Sequence, residues 1–149
     1  MRAIVQRVSR AAVNVDGLPV GQIDRGLLVY LGVARDDAPP DVEYIASKIR
    51  YLRVFPDSAG KMNLDVGQVG GAVLLISNFT LLADARQGRR PEFTAAAEPD
   101  LANTLYEQVG ATLGREGLRV ETGRFRAMMS VEAANDGPIN ILLDSKRQF

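Results

Sequence analysis

Two short runs of residues hold most of the groups with which this chain could do chemistry. Ser77-Asn78-Phe79-Thr80 sets two hydroxyls and an amide around one aromatic ring, directly after the apolar run Ala72-Val73-Leu74-Leu75-Ile76. Polar groups at the end of a buried strand are aimed by rigid backbone at the rim of a dry core, a common way to build a binding site. The same residues would also serve as an ordinary strand end, with Ser77 and Thr80 bonded to nearby backbone. Asn135-Asp136-Gly137-Pro138 is the second run. Its residue types suit a turn joining two antiparallel strands. They also suit a ligand-facing element, because glycine lets backbone approach closely and a Gly-Pro bond has access to the cis form. A basic cluster, Arg86, Arg89 and Arg90, could meet phosphates or simply face solvent.

The missing residue types narrow the chemistry further. The 149 residues include neither Cys nor His. That excludes disulfides, thiol nucleophiles, thiolate or imidazole metal sites, and any Ser-His-Asp triad. If this is an enzyme, its chemistry uses backbone groups, hydroxyls, carboxylates, Arg or Lys, or the substrate itself, and nothing in the composition calls for an organic cofactor. The 18 basic and 18 acidic residues cancel, which argues against non-specific coating of nucleic acid but not against recognition of one RNA end. The length suits one domain with its own core, and no apolar run approaches the roughly 20 residues of a membrane span. Charged residues interrupt the first segment, Met1 to Arg7, so no signal peptide is expected and the cytoplasm is the expected location.

The elements that must position these groups follow from periodicity. Ile4 to Val15 is rich in β-branched residues and leads through Asp16-Gly17 to a return strand near Val20 to Ile23. The connection contains Pro19 and reads as longer than a two-residue turn. Leu27 to Val33 is a continuous apolar strand. Val42, Ile45, Ala46, Ile49 and Leu52 predict a helix over residues 40–52, followed by a short strand at Arg53-Val54-Phe55. Residues 83–98 read as a long loop. A second helix begins near Pro99 with the stripe Leu101, Leu105, Val109 and Leu113, and stops at Gly117. Strands over Leu118 to Thr122, Ala127 to Ala134 and Ile139 to Leu143 complete the chain. Met128 and Met129, consecutive in a strand, should face opposite sides. The prediction is a single α+β domain over residues 1–149, with a mainly antiparallel, barrel-like sheet and two principal helices.

Ser77-Asn78-Phe79-Thr80-Leu81 and Asn135-Asp136-Gly137-Pro138 together resemble the D-aminoacyl-tRNA deacylase family, whose motifs are Ser-Gln-Phe-Thr-Leu and Asn-Asp/Ala-Gly-Pro-Val-Thr. The similarity runs from end to end. It includes Ile4-Val5-Gln6-Arg7-Val8, Gly26 to Val33, Gly60-Lys61-Met62-Asn63-Leu64, Arg90-Pro91-Glu92-Phe93 and Thr122-Gly123-Arg124-Phe125.

The resemblance implies a homodimeric, metal-independent hydrolase that frees D-amino acids, and glycine, from the 3′ end of tRNA. It implies that Gly137 and Pro138, through a cis bond, form a filter that enters the partner's site and excludes L side chains, with Arg7 holding that segment. Ser77, Phe79 and Thr80 would line the pocket as the catalytic group, and Asn78, Phe125 and Met129 would bind the tRNA 3′ end, with Phe125 and Met129 receiving the terminal adenosine. It further implies that water is activated by the 2′-hydroxyl of the terminal ribose; Thr80 as nucleophile is the alternative, but an unassisted hydroxyl is a poor one, which favours Thr80 positioning rather than attacking. The sequence departs from the family pattern twice: Asn78 stands where Gln is usual, and Ile139-Asn140 where Val-Thr is usual. A non-catalytic module that binds a tRNA end, or a purely structural dimerisation domain, would share the composition.

Overall fold

The computed structural model describes residues 1–149. Strand β1 (Arg2–Val15) turns into β2 (Leu18–Ile23) through Asp16 and Gly17, both at positive φ. Val15 pairs with Leu18, so this is a two-residue turn whose twist matches the strands, and not the longer connection expected. Pro19 lies within β2, where it withholds one ladder donor.

Strand β3 (Gly26–Gly32) follows, then helix α1 (Pro39–Tyr51). A two-stranded ribbon of β4 (Phe55–Pro56) and β5 (Met62–Leu64) leads to β6 (Ala72–Ser77). A 3₁₀ turn (Phe79–Leu82), the long loop, helix α2 (Pro99–Arg115), β7 (Arg119–Thr122) and β8 (Ser130–Asp144) complete the chain. Both helices lie within about a residue or two of their predicted bounds. Arg53 and Val54 fall outside the short strand.

The sheet is organised around β1. One edge pairs with β8 almost throughout. The other edge serves β3 with residues 2–8 and β2 with residues 11–15. The β1 pairings are antiparallel, whereas β3, β6 and β7 run parallel to one another, so the sheet is mixed.

Two cores lie on its two faces. Val5, Leu27, Val29, Leu31, Val73 and Leu75 pack under α1 and α2 with Ile45, Ile49, Val109 and Leu113. Val8, Val13, Ile23, Leu28, Leu74 and Ile76 form a smaller core on the other face. Along β1 the buried positions run Ala3, Val5, Arg7 and then Val8, Ala11, Val13, so the alternation slips where the β1–β8 register shifts. That slip sends each half of one strand into a different core. β2 then curls toward β7, so closely that a Cβ on Gly21 would lie 2.6 Å from the Thr122 carbonyl oxygen. The result is barrel-like. No helix is long and apolar enough to cross a membrane.

A buried charge cluster ties the chain ends to α1. The Met1 ammonium, fully buried, donates to Asp37 Oδ1 at 2.5 Å and Ser145 Oγ at 2.7 Å. Lys146 reaches Asp41 at 2.9 Å, and Asp41 accepts from the Ala38 N–H at the start of the helix. Burial pushes the Asp41 carboxyl upward, but hydrogen bonds from Ser145, Lys146 and Ala38, with the Lys146 charge, outweigh it and hold the pKa at about 2. The unfolded value is about 3.9. Asp41 therefore stabilises the fold fully above about pH 4, and that contribution is lost as the pH falls through about 2. Because Lys146 is one-third exposed, the ionised form is worth only ~1–2 kcal/mol. Asp41→Asn should lower urea-unfolding stability by that amount at pH 7, with the gap from wild type closing between pH 4 and 2. A gap independent of pH would show that the carboxylate charge is not what stabilises this corner.

Candidate active site

The first motif leaves the sheet at the end of β6. Five consecutive buried residues, Ala72 to Ile76, end at half-buried Ser77, and the Asn78 N–H is still anchored to the Leu31 carbonyl at 2.8 Å. The backbone then folds into the 3₁₀ turn, capped by Asn78. Its Oδ1 accepts from the Thr80 N–H at 3.1 Å and also from the Thr80 hydroxyl. The ring of Phe79 is 56% exposed and meets Phe93 edge-on, centroids 5.0 Å apart. Phe93 is itself partly exposed, so the two rings make a joint apolar surface at the end of the buried strand. Periodicity carries no signal for Phe93, a lone aromatic in a long loop.

Phe125 and Met129 flank the end of β6 from different sides. The loop after β7 is held there by the Gly123 N–H bond to the Leu75 carbonyl, 3.2 Å. Phe125 packs on the helix-side core beside Tyr106, centroids 6.1 Å apart. It helps line a cavity of about 460 Å³ with Leu75, Tyr106, Gly110, Val120 and Gly123. Burial pushes the Tyr106 hydroxyl pKa well up, and that hydroxyl donates to the Leu75 carbonyl at 2.8 Å. Met129 packs on the opposite core, while Met128 is 92% exposed. The two methionines face opposite ways as expected, although they precede β8 and are not in a strand.

The second motif is not a turn between strands. β8 runs unbroken through it, and residues 136–139 form an excursion: Gln6 pairs with Asn140 and Val8 with Asn135, leaving Arg7 alone opposite four residues. Asn135 closes the neck by donating through Nδ2 to the carbonyls of Arg7 (3.0 Å) and Ile139 (3.1 Å). Arg7, only 9% exposed, holds the body. It donates to the Asp136 carbonyl (3.2 Å) and the Val54 carbonyl (2.5 Å) and pairs with the Asp136 carboxylate (3.0 Å). Gly137 has φ +129, a region that L side chains rarely adopt, and the Gly137–Pro138 peptide bond is cis. Both residues are exposed.

Within one chain the two motifs are far apart. Ser77 pairs with Leu31, Leu31 with Ala3, and Ala3 with Leu143, whereas the excursion lies opposite Arg7, four residues further along β1. At ~3.3 Å per residue and ~4.8 Å per strand, the offset is roughly 13 Å along the strands and about 14 Å across them. Ser77, Asn78, Phe79 and Thr80 thus form one group with Phe125 and Met129 near the same strand end. Gly137, Pro138 and Arg7 form another.

The basic cluster lies on a loop closed by the paired Asp84 and Glu92 backbones. Arg86 is held bidentately by Asp84, and those contacts keep the Asp84 carboxyl well below the usual range. Only Arg89 and Arg90 remain without an ion-pair partner.

Known proteins match this chain throughout. Residues 4–144 match the D-Tyr-tRNA(Tyr) deacylase family. A D-aminoacyl-tRNA deacylase of Anaeromyxobacter dehalogenans is 62% identical over 149 residues, and one of Koribacter versatilis 58%, each covering the whole of both chains. Among solved structures, a c-Myc DNA unwinding element binding protein superposes with a TM-score of 0.91 at 36% identity, covering 97% of this chain and 98% of its own. A probable eukaryotic D-amino acid tRNA deacylase superposes at 0.80 and 15% identity, covering 95% and 97%, a likeness of fold. With the Ser77 to Thr80 turn and the Gly137-Pro138 excursion both in place on this fold, the chain belongs to the D-aminoacyl-tRNA deacylase family.

Proposed function

We propose that this protein hydrolyses the ester joining a D-amino acid, or glycine, to the 3′ end of tRNA, as a homodimer in the cytoplasm. The observation that carries the reading is the Gly137-Pro138 excursion, an exposed loop clamped by a buried arginine and out of reach of its own chain's Thr80. Such a loop serves a second copy. Placed across an interface, it walls the partner's pocket beside Ser77, Phe79 and Thr80, with Phe125 and Met129 receiving the adenosine.

The reaction adds a water oxygen to the ester carbonyl, breaks the bond to the ribose 3′-oxygen and delivers a proton to that oxygen. The neighbouring 2′-hydroxyl assists the water, and backbone N–H groups at the Phe79 end of the turn stabilise the developing oxyanion. Neither role calls for a histidine, cysteine or metal. Thr80 orients the substrate; a hydroxyl without a base beside it is a poor nucleophile.

Magnitudes favour exclusion as the source of chirality. Sparing L esters by ~10⁴ needs roughly 5.5 kcal/mol, while a methylene's worth of contact supplies only ~1–3 kcal/mol. A fixed backbone wall in the L position supplies the difference and leaves glycine untouched.

Single-turnover deacylation of D-tyrosyl-, L-tyrosyl- and glycyl-tRNA, with EDTA present, tests the reading. Loss of the D and glycyl esters with the L ester spared is the expected result. Selectivity that survives Pro138→Ala would overturn the filter. Tight binding of a tRNA end without turnover of any ester would make this a binding module instead.

A further inference from the structure

We propose that Asn78 is a positioning residue that fixes the Thr80 hydroxyl as a hydrogen-bond acceptor toward the aminoacyl-adenosine end of the substrate. This rests on the deacylase reading and extends it. The Thr80 backbone N–H can only donate, so the Asn78 atom 3.1 Å from it must be the carbonyl oxygen Oδ1. That settles the orientation of the amide. The Thr80 hydroxyl meets the same oxygen, and an oxygen of this kind only accepts. The hydroxyl therefore commits its single proton to Asn78, and only its lone pairs remain for whatever docks against the exposed turn.

Two consequences follow. A docking group must donate to Thr80, and beside its ester bond the substrate end offers two donors, the α-ammonium of the amino acid and the ribose 2′-hydroxyl. Thr80 also has no route to act as a nucleophile, because its proton faces a neutral amide oxygen, which is not a base. The arrangement depends on the short arm of asparagine. Closing onto the N–H two residues ahead is the Asx turn, a geometry that Asn and Asp make and that a side chain one methylene longer does not. The departure from the family's usual Gln at this position thus has a structural counterpart. The clamp is rooted in the sheet through the Asn78 N–H bond to Leu31.

The test is a double-mutant cycle on single-turnover hydrolysis of D-tyrosyl-tRNA at saturating enzyme, with melting temperatures recorded for each variant. Asn78→Ala and Thr80→Val should each slow the reaction by about tenfold, one oriented hydrogen bond's worth. The double variant should be no slower than Thr80→Val, since Asn78 acts through that hydroxyl. Asn78→Asp, whose carboxylate accepts both bonds, should recover most of the rate. A deamino substrate, 3-(4-hydroxyphenyl)propionyl-tRNA, identifies the donor: the Thr80→Val penalty should vanish with it if the ammonium is the donor and persist if the 2′-hydroxyl is. Multiplying losses, an Asp variant as slow as the Ala one, or an Asn78→Ala protein that is stable and fully active would each overturn the proposal. A wild-type chain inert toward every ester would overturn the deacylase reading itself.

Discussion

Arg7→Lys should lower the preference for D- over L-tyrosyl-tRNA by about 100-fold, a loss of roughly 2.7 kcal/mol of discrimination, mainly by accelerating loss of the L ester. Arg7 binds in two directions at once. One arm reaches the Val54 carbonyl on the helix side, while Nε reaches the carbonyl and carboxylate of Asp136 in the excursion. A planar guanidinium spans these sites in a fixed fork; a lysine ammonium is a single point and must choose. Lysine keeps the charge, so the change probes the geometry of the clamp. The Asp136 carboxylate is half exposed, and its ion pair alone is worth little. The contacts to backbone do most of the holding. If the excursion is the proposed filter, weakening these contacts lets it fluctuate and admit an L side chain, while D esters, which that filter leaves clear, react at nearly the wild-type rate. An unchanged D:L ratio in a protein of unchanged melting temperature would mean that Asn135 alone holds the segment.

The residues of both motifs are legible in the sequence, but their architecture is so only for the first. Ala72 to Ile76 announces a buried strand by composition, and whatever follows it must emerge at a rim; Ser77 to Thr80 does so. The 3₁₀ turn itself is invisible, because it arises from one side chain folding back on the N–H two residues later. Asn135 to Pro138 has the residue types of a hairpin turn, and local chemistry cannot distinguish a turn from an excursion in a continuous strand. What decides is β1, more than a hundred residues away, which pairs with β8 on both sides of the motif. The position of Arg7 against this segment, which the resemblance alone implies, is hidden from composition and spacing for the same reason. In sequence it is one cation within an alternating strand, and only the β1–β8 register places it opposite the excursion. The parallel β3–β6–β7 pairing likewise depends on crossovers through α1 and α2 rather than on strand composition.

Mixing two defective variants should restore chirally selective pockets that neither has alone. On the proposed function, each complete pocket takes its Thr80 turn from one protomer and its Gly137-Pro138 wall from the other. Let one variant carry Phe79→Ala with Thr80→Val, which removes the presented ring and the acceptor. Let the other carry Gly137→Val. There a β-branched side chain would have to adopt φ +129 with its Cβ 2.8 Å from the Ile139 side chain, so the wall is displaced. In a two-fold dimer each patch meets its counterpart reciprocally. A mixed dimer therefore has one pocket with both defects and one with neither. Unfolding and refolding an equimolar mixture should leave D-ester turnover at the level of its separate components and halve L-ester turnover, because about a quarter of all pockets then carry neither defect. If each pocket instead used both motifs of a single chain, every pocket would retain one defect and mixing would restore nothing. Because the comparison sets the mixture against its own separate components, a general loss of stability in either variant lowers the yield without imitating either outcome. Recovery is thus a direct count of pockets completed across an interface.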